Sequence, residues 1–117
     1  MINLWQILKI IAAVGTVLTG LVSLVRPQAV YAFTGLRAEG GRGITEIRSI
    51  LGAFFIGLGV MALLYRSAEP YTMLGVTYLL VAVVRLVSMF VDQSVERSNI
   101  ISLVVEVLFG IILVIPL

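Results

Sequence analysis

Four long apolar blocks, parted by short polar breaks, limit what this chain can become. Ile10 to Val25 carries no charged residue, and neither does Ser49 to Tyr65. Tyr71 to Val91 holds only Arg85, and Asn99 to Leu117 holds only Glu106. A membrane-spanning helix needs about 20 mostly apolar residues in succession. Soluble domains are about 25% charged, whereas this chain is 12% charged and 61% hydrophobic. Its 117 residues hold four spans and short connections, with no room for a soluble domain. The expected fold is all-α, a four-transmembrane-helix antiparallel bundle forming one integral membrane domain over residues 1–117.

The spans are expected at roughly 4–25, 44–65, 71–91 and 99–117. In the first, Trp5 suits an interfacial anchor, and Lys9 is close enough to the end to snorkel back to the headgroups. Two small-residue series, Ala12/Thr16/Gly20 and Gly15/Thr19/Ser23, allow a neighbouring backbone to approach. Arg26-Pro27 ends that span. Pro27 suits the first position of a helix and Gly35 a stop, so a short interfacial helix is expected at about 27–35, between spans one and two. Arg37 to Gly43 is a polar, glycine-rich connector. It lacks both the spacing and the preceding strand of a phosphate-binding loop. Arg66 to Pro70 and Asp92 to Ser98 are short turns.

Ala29-Val30-Tyr31-Ala32 has the look of a signal-peptidase site. The apolar run before it is long for a signal peptide, however, and Arg26-Pro27 intervenes, so a retained first span is expected. The first and third loops carry Arg26, Arg37, Arg42 and Arg97, against Lys9 and Arg66 on the other side. A multi-pass cell-membrane protein with those two loops in the cytoplasm follows from the positive-inside rule.

Composition closes several routes. With no cysteine and no histidine, disulfides, thiol catalysis, iron–sulfur clusters, the commonest metal ligand and the usual general base are absent. No metal site, cofactor motif or nucleophile–base pair is present. The net charge is only +2, and the arginines are dispersed, which argues against nucleic acid as a partner.

Ionisable residues within apolar segments are costly, and they usually face the bundle interior or water. Here they are Glu46, Arg48, Arg85 and Glu106. In four-span geometry all four fall toward the same membrane face. Gly75, Tyr78, Ala82, Arg85, Met89 and Asp92 follow helical steps along span three. Asn99, Ser102, Glu106, Gly110 and Leu113 do so along span four, and both stripes should face inward. On span two, Thr45, Arg48, Ser49, Gly52 and Gly59 share a face. Glu46 lies about 200° from Arg48 around that helix, so the two cannot address one neighbour. The expected pairs are Arg48 with Glu106 and Glu46 with Arg85, or the exchanged pairing. Tyr78 either donates a hydrogen bond into the cluster or is a packed aromatic. Gly52, Gly57 and Gly59 are expected at helix contacts, with a slot for a flat ligand as the weaker alternative.

The segment Ile44-Thr45-Glu46-Ile47-Arg48-Ser49-Ile50-Leu51-Gly52-Ala53-Phe54-Phe55-Ile56-Gly57-Leu58-Gly59 resembles the E-x-R…G…lxxG signature of a small bacterial membrane family, domain of unknown function 4345. Pro27 after span one, a short helix before span two, Arg85 late in span three and Glu106 in span four are similar too. Gly52-Ala53 departs from the Gly-Gly that members often show. The resemblance covers nearly the whole chain. It implies four helices and a polar cluster, and it supplies no activity.

Two uses of the cluster compete. As structural ion pairs the four residues would fix helix register, and removing one partner would cost about 3–5 kcal/mol. As a ligand site they would hold the polar head of a lipophilic small molecule. The structural use weighs more, so the function expected is non-catalytic. Rival readings are an accessory subunit of a larger membrane complex, a homo-oligomer, and a small proton-coupled transporter. Catalysis by Glu46 and Glu106 as an acid/base pair ranks last.

Overall fold

Each apolar block becomes a helix. The computed structural model describes residues 2–116, and among them there is no strand. Helix α1 runs Leu4–Val25. A 3₁₀ turn, Pro27–Ala29, leads into the short α2, Val30–Thr34. Helices α3, Gly41–Tyr65, α4, Ala68–Val91, and α5, Arg97–Val114, complete the chain. Four of the five, α1, α3, α4 and α5, are long and apolar enough to cross a membrane.

Helix ends follow local chemistry. Pro27 opens the 3₁₀ turn, where its missing N–H costs nothing. Gly35 stops α2 in the left-handed conformation, φ 72°, and its N–H donates to the Tyr31 carbonyl at 2.9 Å. Helices α3 and α4 begin three residues earlier than hydropathy suggested, at Gly41 and Ala68. Polar residues and Pro70 are tolerated in a first turn, whose N–H groups have no intrahelical acceptor. Helix α5 begins at Arg97 and stops at Val114. Pro116 holds the preceding Ile115 extended, at φ −63° and ψ 130°.

The chain divides into two compact units. One holds the start of α1, up to Ala12, with α4 and α5. The other runs from Ala13 to Tyr65. In the first unit α4 and α5 are antiparallel, and Gly75 and Gly110 let them close. A Cβ on Gly75 would sit 2.8 Å from Leu113 Cβ and 3.0 Å from the Gly110 carbonyl oxygen. The expected inward stripes pack except at Asp92, which is exposed. Gly75, Ala82 and Met89 on α4 are buried, as are Glu106, Gly110 and Leu113 on α5.

In the second unit the back half of α1 lies against α3. A Cβ on Gly20 would approach the Gly52 carbonyl oxygen to 2.7 Å, and one on Gly59 would meet the Ala13 carbonyl oxygen at 2.9 Å. Gly57, expected at such a contact, faces open space, with nothing within 4 Å of its would-be Cβ. It lies two residues from Gly59, about 200° around the helix.

Helix α3 also contains a feature that hydropathy did not suggest. From Ile47 to Phe54 it is a π-helix, bonded i→i+5. Residues five apart therefore stack, as residues four apart do in an α-helix. Ile47, five before Gly52, is buried. Thr45, Arg48 and Ser49, expected on the inward face with Gly52, are exposed.

Candidate functional site

Arg85, late in α4, meets Glu106 near the middle of the facing α5. The guanidinium grips the carboxylate along one edge: Nε donates to Oε1 at 2.8 Å and Nη2 to Oε2 at 2.7 Å. Two parallel charge-assisted bonds of this kind are strong and fix orientation. Nη1 donates to Asn99 Oδ1 at 2.8 Å, and Asn99 Nδ2 donates to the Ser94 carbonyl at 2.9 Å. The network thus runs from α4 through the first turns of α5 into the connecting loop. Glu106 is buried, whereas the Arg85 side chain keeps 28% of its surface exposed.

That exposed part looks into a groove of about 420 Å³. Leu80, Val81 and Val84 form its apolar side, and Arg85, Ser88 and Asn99 its polar end. A guanidinium has five N–H groups, and three of Arg85's are spent on Glu106 and Asn99. Two remain for an acceptor in the groove. Glu106 has both oxygens on Arg85, which leaves the site electrically balanced.

Of the two pairings expected, the first is corrected and the exchanged one is met only in its Arg85–Glu106 half. Arg85 holds Glu106, and Glu46 accepts from Arg42, four residues earlier on the same helix and exposed. Arg48 has no hydrogen-bond or ion-pair partner among the described residues. On the π-helical stretch Ile47 and Gly52 are the buried residues, and Arg48 is exposed. An exposed arginine near a span's end is tolerated by stretching toward the interface. Tyr78 packs edge-on against Phe109, with ring centroids 5.6 Å apart and planes at 86°. Gly52 sits 3.2 Å, by its would-be Cβ, from Leu24 backbone. Gly52 and Gly59 are therefore packing residues.

Lys9 does not snorkel. It is 1% exposed, and its ammonium donates to the carbonyls of Ile112 at 2.8 Å, Leu113 at 2.9 Å and Ile115. All three of its N–H groups are used. Pro116 explains the arrangement, because it has no N–H to offer the Ile112 carbonyl four residues back. The lysine caps the end of α5, where the helix dipole favours a cation, and lies 5.5 Å from the Tyr71 ring centroid. A lysine in the second turn of α1 and a proline closing the last apolar block were the legible signals. Nothing in the sequence joined them.

A chain of four helices long and apolar enough to cross a membrane, with an Arg–Glu pair between two of them, is a small multi-pass membrane protein. It belongs to the family described as Domain of unknown function (DUF4345), whose model matches residues 4–117. No curated protein and no solved structure matches the chain.

Proposed function

We propose that this protein is a non-catalytic membrane protein in which the Arg85–Glu106 pair locks α4 to α5 and the adjoining groove takes the polar head of a lipophilic small molecule. The observation that carries the reading is the partial exposure of Arg85 in that groove, beside an apolar wall. Few polar groups on a mostly apolar pocket are the usual make-up of a small-molecule site. The two spare N–H groups call for an acceptor, and the balanced charge favours a neutral head such as a carbonyl or hydroxyl over an acid. The arginine bias of the first and third loops supports a cytoplasmic location for them.

Native mass spectrometry of protein extracted in mild detergent tests the ligand reading. A lipophilic mass other than a phospholipid should be retained by the wild type and lost in Val84→Trp, which fills the groove and spares the ion pair. A wild type that retains no such mass, or a variant that keeps it, would overturn the reading.

A further inference from the structure

A second groove, of about 550 Å³, lies between the first loop and the start of α3. We propose that it seats the headgroup of a bilayer phospholipid that is zwitterionic and carries a primary ammonium. This goes beyond the function proposed above and rests on different residues.

The groove's rim carries two bases and two acids, Arg37, Arg42, Glu39 and Glu46. Arg42 is paired with Glu46, and Arg37 lies over the Tyr31 ring at 4.6 Å. Both guanidiniums keep N–H groups that a phosphate diester can accept from. Glu39 is exposed and has no partner among the described residues. It is the natural acceptor for an ammonium. The rim sums to zero charge, which matches a zwitterion better than an anionic lipid. A quaternary ammonium has no N–H to give Glu39, so a primary ammonium fits best.

Depth agrees with the chemistry. The seventeen α-helical residues of α3 alone span about 26 Å, and with the eight π-helical ones the helix is longer than a hydrocarbon core of about 30 Å. The first turns of α3, with Arg42 and Glu46, therefore reach headgroup level. Deeper along the same helix, Ile50 and Leu51 line the groove and offer an apolar path for an acyl chain. The π-helix shapes that wall, and such turns frequently mark functional sites.

The test is native mass spectrometry of the full chain with equimolar dioleoyl phosphatidylethanolamine, phosphatidylcholine and phosphatidylglycerol. Retention of phosphatidylethanolamine should exceed that of the other two by about fivefold. Glu39→Gln should erase its advantage over phosphatidylcholine while leaving phosphatidylcholine retention unchanged. Arg37→Gln should weaken both. Val84→Trp should leave all three unchanged, which separates this site from the one proposed above. Equal retention of the three lipids in the wild type, preference for phosphatidylglycerol, an advantage that survives Glu39→Gln, or displacement by millimolar inorganic phosphate would each overturn the proposal.

Discussion

Arg85 meets Glu106 through two parallel hydrogen bonds, of 2.8 and 2.7 Å, across the α4–α5 interface. Either residue alone would be a charge stranded in an apolar setting. Glu106→Leu should therefore destabilise the protein by about 3–5 kcal/mol, because it leaves Arg85 uncompensated. The double variant Arg85→Met/Glu106→Leu should recover most of that loss. Thermal unfolding in one detergent, followed by size-exclusion monodispersity, compares the two.

Lys9 serves three carbonyls at the end of α5. Lys9→Met keeps the bulk and removes every donor, and it should cost about 1.5–3 kcal/mol. Amide hydrogen exchange should quicken at Ile115 and in the last turn of α5, while the middle of α4 stays protected. Uniform loss of protection would mean that the contact is not local.

The glycines divide by what faces them. Gly20→Ala and Gly75→Ala should lower the melting temperature, because their Cβ atoms would lie within 3 Å of neighbouring backbone or side chain. Gly57→Ala should be neutral or stabilising by about 0.5–1 kcal/mol, since it meets nothing and relieves a flexible helical position.

The π-helix makes a labelling prediction that an unbroken α-helix would not. The chain has no cysteine, so single replacements can be labelled without background. A spin label on Arg48→Cys should be mobile and accessible to a paramagnetic relaxant, whereas one on Ile47→Cys should be immobilised. An α-helical α3 reverses the two.

The number of spans and the inward stripes of α4 and α5 could be read directly from the residues. Both helices keep a regular 100° step, so Gly75, Ala82 and Met89 fall where arithmetic puts them. The same arithmetic failed on α3. Eight residues of i→i+5 bonding shift the register, and no propensity in Ile47-Arg48-Ser49-Ile50 announces that change. The Glu46 carboxylate finds its partner, Arg42, on its own helix and not across the bundle. Helix α3 starts at Gly41 and puts the two a single turn apart. The Lys9 clasp was hidden for another reason. It links a side chain to main-chain carbonyls, and main-chain acceptors leave no trace in residue identity.

The clasp also carries a timing consequence for biogenesis. A ribosome delivers α1 long before α5, so the Lys9 ammonium enters the membrane with no carbonyl waiting for it. Until α5 is threaded, that cation can be satisfied by stretching toward the phosphates. The end of α5 is what draws it inside.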